Sequence, residues 1–435
     1  MKHIVLERKP IGNERFNWKQ KDFVLSTFGC HTENMREGIK NLKEAGFNLF
    51  ELGWARHEQA WEAVELCEEY GVDLIFQDLS ICGGMMDRHF ERPVREDFAE
   101  YIADRVKDKK HTVGYYIWDE PYGERMLGRA RFEMDKFQEI DPDKLLFVVA
   151  MPNYNPPRWK WENKQYLPYL RDFAEKLDPP VLSMDYYPIG DYPNGIKQYY
   201  YDKENQLDRD HMWCDIGALR LVGREKNLPI WFYYQGCDLY KCGYLTFPMI
   251  RMMMYAGVMY GAKGLQHYRA TEEAVVNRAD GSKGPFFEDQ KIIHKEFAAL
   301  GNTLMALENR LVYHSDEVTM PDTEGVDGLV DSVKDSDIVC GRLPRRCSVG
   351  EFTDAYGNEY MLILNRDYEA ELDAEIALKD NYRFYEVSRE DGKQSVVFDG
   401  ITSLPIKLDK GDAVIYRVQK ACEEPFTLEY RLKQN

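Results

Sequence analysis

The chain has 435 residues, of which 44% are hydrophobic and 30% charged, the composition of a folded protein long enough for two domains. Asp and Glu number 75 against 57 Lys and Arg, so the formal net charge is −18. This acidity argues against binding to nucleic acids or anionic membranes and favours a neutral or small polar partner.

The cysteines and the first residues of the sequence are the features from which we predict the cellular compartment. Nine cysteines are scattered without a Cys-x-x-Cys pair, which indicates reduced thiols and argues against a zinc site. Met1–Arg8 lacks the apolar run of a secretory signal. The most apolar helical stretch, Phe247–Tyr260, contains Arg251 and is too short to span a bilayer. We expect a cytoplasmic protein without a metal or cofactor, and the sequence leaves its oligomeric state open.

Short β-rich runs alternate with amphipathic helical segments from about residue 23 to 310. Eight runs are predicted to be strands: Phe23–Gly29, Phe47–Trp54, Val72–Asp78, Thr112–Glu120, Leu145–Asn153, Val181–Pro188, Pro229–Gly236 and Lys263–Ala270. Eight strand–helix repeats predict a closed (β/α)₈ barrel. Glycines 46, 71 and 261 are expected to end helices just before strands. A doubly wound open sheet is the alternative, but no Gly-rich phosphate-binding motif occurs.

The pattern changes to β structure throughout after about residue 310. Val349–Thr353 and Tyr360–Asn365 predict a hairpin around a Gly-containing turn, and Asp412–Arg417 predicts a last alternating strand. We therefore expect a catalytic barrel over residues 1–310 and a small antiparallel β-sandwich over residues 311–435.

Catalytic groups of such a barrel lie at the carboxyl ends of its strands. This rule selects three candidate catalytic residues, Glu120, Asp119 and Asp185. It also selects candidate substrate-binding residues: Trp118, Tyr187, Tyr234, Gln235, Asp78, Glu51, Trp54, His267 and Tyr268.

The fourth predicted strand ends in Trp118-Asp119-Glu120-Pro121, the most informative of these motifs. Pro121 is expected to hold Glu120 in an extended conformation, with the two adjacent carboxylates on opposite sides of the chain. An aromatic residue and a proline beside a carboxyl raise its pKa, which suits a general acid. The alternative is a pair of solvated loop acids.

The acid-Pro pair resembles the large clan of (β/α)₈ glycoside hydrolases whose acid/base residue stands in Asn-Glu-Pro, with Asp119 here in place of Asn. Ser183–Pro188 is similar to the Asp-x-Tyr-Pro segment of many bacterial glycosidase-like barrels, which often carry a C-terminal β-domain. The resemblance implies hydrolysis of a glycosidic bond, β-linked by expectation, with Glu120 as acid/base. It also implies a glutamate nucleophile on the seventh strand, where Pro229–Gly236 offers no carboxylate.

Three mechanisms therefore stay open. The second carboxylate comes from Asp185, Asp78 or Glu51, which would suit an inverting reaction through water. Alternatively, an acetamido group of the substrate attacks while Asp119 orients it, Glu120 protonates the leaving oxygen, and Tyr187 or Tyr234 holds the acetamido oxygen. The third reading is a barrel that binds carbohydrate without cleaving it. A sugar isomerase or lyase is a more distant alternative.

Aromatic side chains near the strand ends support a carbohydrate partner, because sugar C–H faces stack on them. Trp118 is the first choice as a platform, and Trp159 and Trp161 in the loop after the fifth strand are further candidates. His267 and His31 each fit either a substrate contact or a structural role.

Overall fold

The computed structural model describes residues 1–30, 32–53, 55, 57–78, 97–153, 163–191, 197–198, 211–238, 245–270, 276–319 and 328–433. Trp54, His31, Trp159 and Trp161 lie outside the described residues, and so do the predictions made for them.

The first strand, β1 (Lys2–Arg8), precedes the alternating part of the chain. That part contains, in order, β2 (Val24–Phe28), α1 (Met35–Glu44), β3 (Leu49–Glu51), α2 (His57–Tyr70), β4 (Asp73–Phe76), α3 (Phe98–Val106), β5 (Thr112–Asp119), α4 (Gly123–Ile140), β6 (Leu145–Ala150), α5 (Asn163–Leu177), β7 (Leu182–Asp185), β8 (Gly190–Asp191), β9 (Lys197–Gln198), α6 (His211–Lys226), β10 (Ile230–Gln235), α7 (Phe247–Met259), β11 (Gly264–Tyr268) and α8 (Phe287–Ala306).

Eight of these strands close into a barrel in the order β10-β11-β2-β3-β4-β5-β6-β7, and every neighbouring pair is parallel. They coincide with the eight predicted strands, so the (β/α)₈ barrel is confirmed. Gly46, Gly71 and Gly261 follow helices with positive φ, as expected for helix ends. The short antiparallel pair β8–β9, between β7 and α6, was not predicted.

The barrel interior has its own apolar core. Phe28, Tyr116, Phe147, Trp231 and Tyr233 are buried there together and belong to a cluster separate from the residues that face the helices. Because alternate residues of a strand face opposite sides, membership of this cluster shows which side chains of each strand point inward.

The remaining strands are β12 (Leu307–His314), β13 (Cys347–Asp354), β14 (Glu359–Asn365), β15 (Leu372–Val387), β16 (Gln394–Leu408), β17 (Ala413–Lys420) and β18 (Phe426–Leu432). Strands β12 to β17 form an antiparallel sheet in the order β12-β13-β14-β17-β15-β16, with a core of its own. This confirms the antiparallel β-region and its predicted β13–β14 hairpin. The last predicted strand is not the last one, because β18 follows it and pairs in parallel with β1.

The two sheets are joined closely along the chain. Strand β12 starts at Leu307, directly after α8, so the division of the chain at residue 310 remains our proposal. Arg251, the charged residue of the apolar helix α7, pairs with the buried Asp412 at 2.5 Å.

Within the described part of the chain, no helix combines the length and apolarity needed to cross a bilayer.

Glycine 114 on β5 allows β6 to approach closely. A Cβ at this position would lie 2.5 Å from the carbonyl oxygen of Leu145, a backbone atom that cannot move aside cheaply. We expect Gly114→Ala to lower the midpoint of urea unfolding by an amount equivalent to about 1–3 kcal/mol.

The matched control is Gly128→Ala in helix α4, where no atom lies within 4 Å of an added Cβ. This substitution is expected to raise the midpoint slightly, because alanine favours helix by about 0.5–1 kcal/mol. Equal midpoints for the two variants would contradict the close approach of β5 and β6.

Candidate active site

A β-bulge decides which side chains of β5 enter the barrel. Tyr116 pairs with Phe147, but Trp118 pairs with Val148 and Asp119 with Val149, so the register shifts at residue 117. One extra residue reverses the alternation, and Asp119 therefore shares the inner face with Tyr116. The Tyr116 hydroxyl donates a 3.0 Å hydrogen bond to Asp119 Oδ1.

Trp118 is turned the other way by the same bulge. It is 1% exposed and packs in the core between barrel and helices, together with Val148. The prediction that Trp118 is a platform for a sugar ring is therefore wrong, because its ring lies on the outer face of the barrel wall.

Glu120 has a left-handed backbone, with φ of +51°, and is only partly buried. The expected extended conformation is wrong, although its N–H still bonds the carbonyl oxygen of Val149 at 3.1 Å. Positive φ is uncommon for residues other than glycine and costs energy. Such strain concentrates at functional sites, so the backbone conformation of Glu120 adds to the support that its strand-end position gives it as a candidate.

Tyr169 on α5 holds the peptide that follows Glu120. Its hydroxyl donates to the carbonyl oxygen of Pro121 and accepts from the N–H of Met151, both at 3.0 Å. Burial raises the pKa of Tyr169, and the carboxylates of Glu120 and Asp185 raise it further. Both carboxylates therefore lie within electrostatic range of one phenol.

Asp185 ends β7 and is 5% exposed. Ser183, two residues earlier, donates to Gln266 Oε1 at 2.6 Å inside the barrel, so the alternation places Asp185 on the inner face as well. Burial raises the pKa of Tyr116, and Asp119, Glu51 and Asp185 all add to this effect. Three predicted acids thus act electrostatically on the Tyr116 hydroxyl, and Asp119 bonds to it directly.

Glu51 at the end of β3 is fully buried and accepts hydrogen bonds from three neutral donors. Ser26 Oγ and Gln266 Nε2 reach its Oε1 at 2.5 and 2.8 Å, and the Tyr233 hydroxyl bonds its Oε2. Burial raises the pKa of Glu51 to about 7; the bonds from Ser26 and Gln266 lower it, and the Asp119 carboxylate raises it. A buried carboxyl with such a pKa is typical of functional sites.

Tyr187 and Tyr268 form an aromatic pair near the interior acids. Their rings stack at 4.4 Å with an interplanar angle of 24°, and Tyr268 remains partly exposed. Each lies an even number of residues from an inward-facing residue of its strand, and both pack with the interior cluster. The structure therefore brings these two predicted binding residues together with Glu51, Asp119 and Asp185.

Tyr234 and His267 face outward and do not join this site. The Tyr234 hydroxyl accepts from Gln290 of α8 at 3.1 Å. The His267 ring packs against Phe47 and Tyr234, and burial together with His294 lowers its pKa to about 3. A substrate-binding or base role for either residue is therefore wrong, because each fills the layer between barrel and helices.

Gln235 has a structural role instead of the predicted substrate contact. Its fully buried amide accepts from the N–H of Ile189 and donates to the carbonyl oxygen of the same residue, both at 2.8 Å. These bonds tie the end of β10 to the segment after β7 and occupy both ends of the amide.

Asp78 is fully buried, and its Oδ2 lies 2.6 Å from Nδ1 of His57. The exposed member of the pair is His57, which sequence reasoning missed along with Tyr116, Tyr169 and Tyr233. Tyr116 and Tyr233 stand in predicted strands, and their inward positions could have been found had the register of β5 been known. Among the described residues, no group of three or more His, Cys, Asp or Glu side chains is placed to hold a metal ion.

The raised pKa of Glu51 predicts a pH-dependent contribution to stability. The free carboxyl titrates near 4.5, so between pH 4.5 and 7 the folded protein keeps a proton that the unfolded chain has lost. Glu51 therefore favours folding most at low pH, and this contribution, at most about 3 kcal/mol, is lost as pH rises to 7.

We expect the free energy of unfolding of the wild type, minus that of Glu51→Gln, to fall between pH 4.5 and 7 and to be constant above. Urea unfolding at a series of pH values measures this difference. A difference that rises with pH would show that the folded protein prefers the carboxylate.

No protein-family model matches the chain. A search of curated proteins finds no match either.

Solved structures similar to the chain include several glycosidases. An α-amylase from Geobacillus thermoleovorans in complex with acarbose is 9% identical, with a TM-score of 0.48 over 92% of this chain and 98% of that one. A GH51 arabinofuranosidase from Xanthomonas axonopodis pv. citri is 10% identical, with a TM-score of 0.46 over 95% and 98%. A glucosidase from Croceicoccus marinus is 9% identical, with a TM-score of 0.41 over 97% and 99%. At this level of similarity, function has to be argued from the site residues.

Proposed function

We propose that the protein is a glycoside hydrolase in which Glu120 is the general acid and Asp185 the partner carboxylate. The observation that carries this proposal is that Glu120 directly follows β5 and Asp185 ends β7, two strands that flank β6, so that both acids lie at the carboxyl-terminal face of the barrel. Glycosidic hydrolysis requires two carboxyl groups that act on the same sugar.

The two acids differ in ways that suit different roles. Glu120 is partly exposed, and Tyr169 holds the backbone carbonyl of the following Pro121. Asp185 is nearly buried on the inner face, in register with Tyr233 of β10. Glu120 protonates the leaving oxygen, while Asp185 takes a proton from the water that attacks the anomeric carbon on the other face.

The absence of an acid from the Ile230–Gln235 sequence supports inversion over retention. A retaining reaction needs a carboxylate that attacks the sugar directly, and the resemblance would require it on this strand. Tyr187 and Tyr268 provide a stacked aromatic pair for a sugar face. The cluster of acids favours a neutral sugar, because a carboxylated or phosphorylated one would be repelled.

The substrate-assisted mechanism is a second candidate, favoured by the Tyr116–Asp119 hydrogen bond. The bulge brings Asp119 to the inner face, and Tyr116 orients its carboxylate. In this mechanism Asp119 holds an acetamido group of the sugar, which attacks in place of a protein nucleophile. Hydrolysis would then be limited to N-acetylhexosaminides.

Glu120→Gln is expected to lower kcat by about 10²–10⁴-fold, because the leaving oxygen no longer receives a proton. The measurement is hydrolysis of a panel of methyl glycosides that includes N-acetylated ones, because an alkyl leaving oxygen departs only when it is protonated. Glu124→Gln, four residues further on and 86% exposed in its side chain, is the control and should keep full activity. Full activity in Glu120→Gln would refute the assignment.

Asp185→Asn is expected to lower kcat to a similar extent, because the attacking water loses its base. Proton NMR of the first product during turnover reports its anomer, and we expect inversion relative to the substrate. Retention combined with activity only on N-acetylhexosaminides would transfer the second role from Asp185 to Asp119.

A further inference from the structure

His57 and Asp78 meet at the face of the barrel where the acids lie. His57 is the first residue of α2, which follows β3, and Asp78 comes two residues after the end of β4. In a barrel of this kind, the carboxyl ends of the strands and the first turns of the following helices lie on the same face. The pair is therefore on the rim of the proposed active site.

The geometry of the pair orients the imidazole. Nδ1 of His57 lies 2.6 Å from Oδ2 of Asp78, whose side chain is fully buried, whereas the His57 side chain is 41% exposed. A carboxylate only accepts hydrogen bonds, so Nδ1 carries a hydrogen, and in the neutral imidazole Nε2 is then the acceptor. The indole N–H of Trp61 also points to Nδ1, at 3.3 Å. The 2.6 Å contact with the buried carboxylate is the shorter of the two, and it assigns the ring hydrogen to Nδ1.

Nε2 of His57 makes no hydrogen bond to the described residues. An exposed acceptor on a ring that a buried carboxylate holds in one tautomer is arranged to bind a donor from outside the chain. The donors that a neutral sugar presents are hydroxyl groups. An acidic ligand fits less well, since the site already holds Glu51, Asp119, Glu120 and Asp185.

We propose that His57 is a substrate-binding residue whose Nε2 accepts a hydrogen bond from a sugar hydroxyl, with Asp78 as its positioning residue. This inference rests on the proposed function, because it assumes that a carbohydrate binds at the same face of the barrel. His57→Ala is then expected to raise KM about tenfold with little change in kcat, because one hydrogen bond made before and during reaction is lost.

The role of Asp78 is tested through the tautomer of His57. Asparagine at position 78 can donate to Nδ1, which moves the ring hydrogen to Nε2 and turns the acceptor into a donor. Asp78→Asn should raise KM as much as His57→Ala does, and the double variant should lose no more than either alone. Selective ¹⁵N-histidine labelling reports the tautomer directly, with the hydrogen on Nδ1 in the wild type and on Nε2 in Asp78→Asn.

His111 and Asp73 provide a matched control. Their side chains form a similar pair at 2.9 Å, but at the amino-terminal ends of β5 and β4, on the opposite face of the barrel. His111→Ala should leave KM unchanged. An equal rise of KM in His111→Ala and His57→Ala would show that loss of either imidazole raises KM by disturbing the fold, which would overturn the proposal.

Binding is measured separately from hydrolysis by titrating the parent monosaccharides of the glycoside panel into the labelled protein. The Nε2 resonance of His57 is expected to shift with at least one sugar. A shift without hydrolysis of any glycoside would support the binding role and refute the proposed hydrolase. A stationary Nε2 resonance with every sugar, or an unchanged KM in His57→Ala, would overturn the inference.

Discussion

The bulge between Tyr116 and Trp118 is the constraint on which the arrangement of the site depends. Without it, strict alternation would point Trp118 into the barrel and Asp119 into the helical layer. The single inserted residue reverses both, so that an apolar ring completes the outer core and a carboxylate enters the interior. It also ends regular pairing just before Glu120, where the backbone turns into its left-handed conformation. Bulges commonly redirect a side chain next to an active site.

The strand order of the barrel could be read from the sequence, whereas the inner and outer faces of its strands could not. Parallel barrel strands are apolar on both sides, so β10, with the sequence Ile-Trp-Phe-Tyr-Tyr-Gln, carries no alternation of polar and apolar residues. The strand-end rule therefore selected Tyr234 and His267, which face α8 and its surroundings, and passed over Tyr233. Only the register between strands distinguishes these neighbours.

The missed pairing of β1 with β18 has a different physical cause. The side chains of β1 are mostly exposed, and its partner lies more than 400 positions further along the chain. Neither a periodic pattern nor a nearby turn marks such a pair. The His57–Asp78 contact was missed for a related reason, since 21 positions and a complete helix separate the two residues. Carboxylates at strand ends are visible in a sequence, but several of the side chains that orient them, such as Ser26, Tyr233 and Gln266 around Glu51, belong to other elements.

Tyrosine hydroxyls are the recurring donors to the interior carboxylates. Tyr116 donates to Asp119, and Tyr233 donates to Glu51, which also receives bonds from Ser26 and Gln266. A neutral donor stabilises a carboxylate without cancelling its charge. An arginine or lysine beside the acid would instead lower its pKa and keep it deprotonated. Burial of Glu51 behind neutral donors raises its pKa to about 7 instead. Glu51 is thus fixed in position and still able to exchange a proton near neutral pH, the property that general acid–base chemistry uses.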